Sequence, residues 1–103
     1  MDFVVIADHP PNLCPHSNAK AREQMARTPG IRDLAKQLGI EIVFVGIPVP
    51  EHQTFMVLRA PSFESVRRLI VESGFVQTNT VTIRQTESVE EYRKEIQSTT
   101  PIF

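Results

Sequence analysis

IEIVFVGI (residues 40–47), PVPEHQT (48–54) and FMVL (55–58) form the stretch that decides the fold. Two runs are apolar at nearly every position, and a short connection bearing Pro48 and Pro50 separates them. Each proline fixes its own φ and restricts the residue before it, so the connection is stiff and suits a hairpin. Continuous apolar runs predict strands covered on both faces, since a solvated face would alternate with polar residues.

A similar run, FVVIA at residues 3–7, reads as another strand. Between it and the hairpin, residues 19–27 (AKAREQMAR) are helix-favouring throughout, with Ser17 or Asn18 placed to cap them. Thr28-Pro29-Gly30 interrupts. Proline is tolerated at the first position of a helix, so Thr28 can cap a second segment over 29–38, and the region reads as one bent helix or two short ones. Ile31, Leu34, Ala35 and Leu38 give it an apolar stripe, and Gly39 follows as its stop.

Beyond the hairpin, Pro61 and Ser62 open a helix with Phe63, Val66, Leu69 and Ile70 on one side and Gly74 at its end. Residues 75–83 read as a fourth strand, with Thr78, Thr80 and Thr82 on one face. Ser88-Val89-Glu90-Glu91 is a capping-box pattern that opens a short helix to about residue 96. A polar tail closes the chain.

The order is strand, helix, strand, strand, helix, strand. This α+β pattern resembles the ferredoxin-like βαββαβ arrangement, with a four-stranded antiparallel sheet and both helices on one face. The resemblance covers about residues 2–84, leaving 85–103 as an extension of one domain spanning 1–103. The first three strands are apolar on both faces, so the face without helices needs a cover. A second copy, sheet against sheet, supplies one. The chain then resembles small members of the dimeric α/β-barrel superfamily, which includes monooxygenase-like, haem-degrading and small metal-binding proteins. That resemblance is architectural and carries over no functional residues.

Composition sets bounds. The 103 residues are 41% apolar and 22% charged, which is ordinary globular usage. A net charge of −1 gives no broad cationic surface, so nucleic acid is not expected as a partner. No run approaches the ~20 apolar residues that span a bilayer, and the apolar run near Met1 is short and lacks a basic flank. A single cysteine fits a reducing compartment. A cytoplasmic, membrane-free protein is expected.

The chemistry concentrates in residues 8–18, DHPPNLCPHSN, which hold the lone cysteine Cys14, two of the three histidines (His9 and His16) and Pro10, Pro11 and Pro15. The βαββαβ topology would bring the end of the first strand, the hairpin turn and the start of the fourth strand to one edge. His52 would then meet this loop, and five prolines (10, 11, 15, 48 and 50) would lie there too.

Thiolate and imidazole suit zinc, copper, nickel or iron and poorly suit magnesium or calcium. The expected site is Cys14, His16 and His52, with His9 or Asp8 completing it or supporting the ligands. Three protein donors with an open position would suit turnover, and four would suit storage or structure. Cys14-Pro15 also resembles the Cys-Pro motif of haem-responsive proteins, in which the thiolate is an axial ligand. A haem or metal-dependent oxidoreductase of the monooxygenase-like kind is therefore an alternative, as is thiol chemistry at Cys14 with a histidine lowering its pKa. On the plainest reading Cys14 is a small buried hydrophobe, the histidines are surface residues, and the protein is a structural or interaction dimer. Whether the protein is an enzyme stays open. Met25, Met56 and Tyr92 read as packing residues, and Arg59 as an ion-pair partner.

Overall fold

A computed structural model describes residues 1–28, 30–48 and 51–103. Pro29, expected to open a helix, and Val49 and Pro50 of the hairpin connection lie outside the described residues. The four strands are β1 (Asp2–Asp8), β2 (Glu41–Gly46), β3 (Gln53–Arg59) and β4 (Thr80–Thr86). They form one sheet in the order β2-β3-β1-β4, and every neighbouring pair is antiparallel.

The helices are α1 (Ala19–Arg27), α2 (Ile31–Gln37), α3 (Phe63–Glu72), α4 (Phe75–Thr78) and α5 (Val89–Ser98). Asn18 caps α1, its Oδ1 accepting from the Ala21 amide at 2.9 Å. Ser62 caps α3 in a reciprocal arrangement with Ser65. Thr28 ends α1, its amide donating to the Gln24 carbonyl, and Gly30 stands at the start of α2. The interrupted region is thus two short helices, and Thr28 closes the first of them. Gly39 terminates α2 with φ of +71°, a left-handed conformation that glycine adopts without a Cβ penalty.

The core lies between one sheet face and the helices. Phe3 and Val5 of β1, Met56 and Leu58 of β3, Leu34 and Ala35 of α2, and Val66, Leu69 and Ile70 of α3 pack into one buried cluster. Each large side chain withdrawn from water here stabilises the fold by about 1.5–3 kcal/mol.

The opposite face shows the period-two alternation of the strands. Val4 opposes Val57 and Ile6 opposes Phe55, each pair pointing away from the core. A bulge between Ile42 and Phe44 shifts the register of β2: Ile42 opposes the buried Leu58, while Phe44 opposes Val57. A bulge of one residue moves the next side chain across the sheet. Phe44 consequently stands on the face opposite the core cluster, 57% exposed.

The fourth strand starts later than the composition of residues 75–83 predicts. Gly74, at φ +83°, ends α3, and the next four residues wind into α4 before β4 begins at Thr80. The side-chain amide of Asn79 donates to the Phe75 carbonyl at 3.1 Å and closes that turn. Helix α5 extends to Ser98 and holds Val89, Tyr92 and Ile96 exposed, so Tyr92 is not packed as expected. The chain's radius of gyration is 16.5 Å, against about 13 Å for a compact domain of this length. No helix among the described residues is long and apolar enough to cross a membrane.

Candidate metal centre

The strand register fixes which ends of the elements meet. Asp8, the last residue of β1, pairs with Gln53 at the start of β3 and with Thr80 at the start of β4. Residues just beyond those positions therefore share one edge of the sheet. The His9 amide donates to the His52 carbonyl at 3.1 Å, which holds two residues 43 positions apart on adjacent strand ends.

The proline loop is tied down by its own hydrogen bonds. A single 3-10 turn spans Pro11–Leu13, and the Cys14 amide donates to the Pro11 carbonyl. The Cys14 carbonyl accepts from the amides of Ser17 (3.0 Å) and Asn18 (2.8 Å). Ser17 Oγ donates to the Pro11 carbonyl and Asn18 Nδ2 to the Asn12 carbonyl. Arg22 of α1 clamps the far side, donating from Nε to the Pro15 carbonyl at 2.9 Å and from a terminal nitrogen to the His16 carbonyl at 2.7 Å. With the loop so constrained, Cys14 is turned inward and is only 7% exposed.

Three side chains converge. One donor atom each from His9, Cys14 and His52 lies within 4.8 Å of the others, a group that could hold a metal ion. The His9 and His52 rings stand edge to face with centroids 5.5 Å apart. Donors bonded to one tetrahedral ion at about 2.0–2.3 Å sit about 3.5 Å from each other. Modest side-chain rotations would close the remaining gap.

The His9 ring has a defined tautomer. Asn79 Nδ2 faces the Phe75 carbonyl and Thr78 Oγ1, both at 3.1 Å, and only the amide N–H₂ can donate to a carbonyl. Asn79 Oδ1 therefore points the other way, 2.9 Å from His9 Nδ1, and accepts a hydrogen bond from its N–H. In the neutral imidazole, a proton on Nδ1 leaves Nε2 with a free lone pair. That Nε2 is buried and has no hydrogen-bond partner among the described residues. A buried, unpartnered acceptor costs about 1–3 kcal/mol, so native structures rarely keep one without a reason. Metal-ligating histidines commonly use this arrangement, with the second ring nitrogen donating to a fixed oxygen.

The other expected ligands are placed differently. His16, two residues from Cys14, is exposed and lies outside the three-residue group. Its carbonyl accepts from Arg22 at 2.7 Å. Asp8 also lies outside the group; its carboxylate accepts from Gln53 Nε2. Met56 is fully buried in the core, whereas Met25, read from sequence as a packing residue, is 67% exposed. Arg59 pairs with Asp2 at 3.4 Å and Glu41 at 3.8 Å, on the sheet.

His9, Cys14 and His52 all line one cleft of about 1120 Å³. Its other walls come from α1, α2, the end of β2 and the start of α4. An ion held by the three donors would sit at the wall of that space.

No family model matches this chain, and no curated protein matches it. Among solved structures, one described as "a putative transposase from deinococcus radiodurans r1" is similar at a TM-score of 0.42 and 16% identity, covering 95% of this chain and 86% of that one. At that TM-score the likeness carries nothing about the activity or partners of this chain.

Proposed function

We propose that this chain is a small transition-metal-binding protein on a ferredoxin-like scaffold, with the ion held by His9 Nε2, Cys14 Sγ and a ring nitrogen of His52. The observation that carries this reading is the buried lone pair of His9, aimed without a partner while Asn79 fixes the proton on the other nitrogen. One thiolate and two imidazoles suit zinc, copper, nickel or iron. Three donors clustered around a single point favour a bare ion over haem, because a porphyrin would fill the plane in which the third donor lies. The strand order β2-β3-β1-β4 supports the ferredoxin-like assignment.

With three protein ligands, a fourth position is left to water or a small molecule, which is the pattern of reactive rather than structural zinc sites. An enzyme is the natural extension of this reading, and its reaction is not implied by the donor set.

The test is reconstitution of the full chain with each of the four metals, followed by dialysis and elemental analysis. One tightly retained equivalent per chain is expected for at least one of them. With cobalt(II) in the site, thiolate-to-metal absorption in the near ultraviolet is expected as well. Failure of all four metals to remain at stoichiometric level would overturn the assignment.

A second reading concerns assembly. Phe44, Val57, Val4, Ile6 and Phe55 lie on the sheet face opposite the helix-packed core, and α5 carries an unpacked apolar stripe. Both features, with the extended radius of gyration, support a homodimer in which the two sheets face each other and α5 reaches across the partner. Light scattering on the full chain is expected to give the mass of two chains; a monomer at micromolar concentration would refute it.

A further inference from the structure

We infer that the cleft beside the three donors is the binding site for a small apolar monocarboxylate, whose carboxylate takes the ion's fourth position while its tail lies along the cleft. This rests on the metal-binding reading above and specifies the ligand of that same site.

The charge of the centre selects the headgroup. A divalent ion bound by one thiolate and two neutral imidazoles keeps a net charge of about +1. An anionic oxygen donor neutralises it, and a carboxylate is a common ligand for these ions. Among the described residues lining the cleft, the one guanidinium, Arg22, already donates to the carbonyls of Pro15 and His16, and the other formally charged group, Glu51, is acidic. A dianionic or phosphorylated ligand would leave charge unmatched. A monoanion does not.

The walls select the tail. Ala21 and Met25 of α1, Ile31 of α2, Val45 of β2 with Ile47 just beyond it, and Phe75 of α4 line the same space as the donors. Met25 and Ile47, 67% and 65% exposed, hold large apolar side chains in water beside the cleft. Neither belongs to the buried core cluster or the partly buried shell packed against it. Ligand sites of this kind are predominantly apolar with a few convergent polar groups that fix orientation. Here Asn79, one of the polar residues of the lining, touches the donor His9.

The experiment uses the cobalt-loaded full chain and titrates it with octanoate, acetate and 1-octanol, read by the visible d–d absorption and by calorimetry. Octanoate is expected to perturb the cobalt spectrum and to bind at least tenfold tighter than acetate, since each methylene withdrawn from water is worth roughly fourfold in affinity. Octanol, with the tail and no charge, is expected to bind at least tenfold more weakly than octanoate. The Met25→Gln and Ile47→Gln variants should weaken octanoate three- to tenfold each, leaving acetate affinity and cobalt content unchanged. Octanoate binding no tighter than acetate in protein that retains its cobalt would overturn this inference and leave the metal site standing. Protein that retains no metal would overturn both.

Discussion

Asn79 Oδ1 accepts a hydrogen bond from His9 Nδ1–H at 2.9 Å, a contact that joins the residue before β4 to the residue after β1 across 70 positions of sequence. The amide is locked by its own donation to Phe75 and Thr78, so the contact is directional. It sets which nitrogen of the neutral His9 ring keeps its lone pair. A ligand whose second nitrogen is fixed in this way enters the site pre-oriented, and loss of such a partner typically costs 10–100-fold in metal affinity.

Asn79→Ala should accordingly lower zinc or copper affinity by about 10–100-fold while the protein remains folded. A competition titration against a chromophoric chelator measures the first, and circular dichroism the second. The part-buried Asn79 side chain makes three hydrogen bonds, so global stability should fall by about 1.5–4.5 kcal/mol when they are lost. Unchanged metal affinity in the folded variant would show that the His9 tautomer is irrelevant to binding.

The two histidines of the proline loop should behave oppositely. His9→Ala, Cys14→Ser and His52→Ala each remove a donor from the three-residue group, and each should abolish stoichiometric metal retention after dialysis. His16→Ala should retain a full equivalent, because His16 is exposed and outside that group. Equal loss in His16→Ala and Cys14→Ser would mean that the loop rearranges to chelate through Cys-x-His.

That contrast also shows where sequence reading stops. The apolar runs at 3–7, 40–47 and 55–58 declare strands by composition alone, whereas their order in the sheet, β2-β3-β1-β4, does not follow from their succession in the chain. The meeting of His52 with the proline loop is legible too, since it depends only on which strand ends share an edge. The choice between His9 and His16 is not. Adjacency favours His16 as the chelating partner of Cys14, but the Ser17 and Asn18 amides fold back on the Cys14 carbonyl and the loop leaves His16 in solvent. Helix α4 escapes for a different reason: Phe-Val-Gln-Thr has strand composition, and only the left-handed Gly74 and the closure by Asn79 wind it into a turn. Met25 sits on a helix with helix-forming neighbours, and no spacing reveals that its side of α1 faces a cleft.

Gly74 ties that local winding to the site. Its φ of +83° disfavours any L side chain, and a Cβ there would come within 2.9 Å of Thr28 Cγ2. Gly74→Ala should therefore destabilise the fold by about 1–2 kcal/mol from backbone strain, with a further cost from displacing Thr28. Urea unfolding with an unchanged m-value is the measurement. Because α4 positions Asn79, the same variant should also weaken metal binding; a drop in stability with undiminished affinity would uncouple the turn from the site.

The sheet face opposite the core cluster makes the last prediction. Phe44 owes its position there to the bulge after Ile42, which turns it from the core side toward Val57. Its ring lies over Gly46, where an added Cβ would collide with it. A ring held this way, 57% exposed beside Val57, adds to an apolar surface that a monomer would leave in water. Phe44→Glu removes about 1.5–3 kcal/mol of burial at each copy of a sheet-to-sheet interface and places two carboxylates within it. The core on the other face is untouched, so the variant should fold with wild-type circular dichroism but scatter light as a single chain. Wild-type protein that is already monomeric, or a Phe44→Glu variant that still dimerises, would place the contact on α5 alone or remove it altogether.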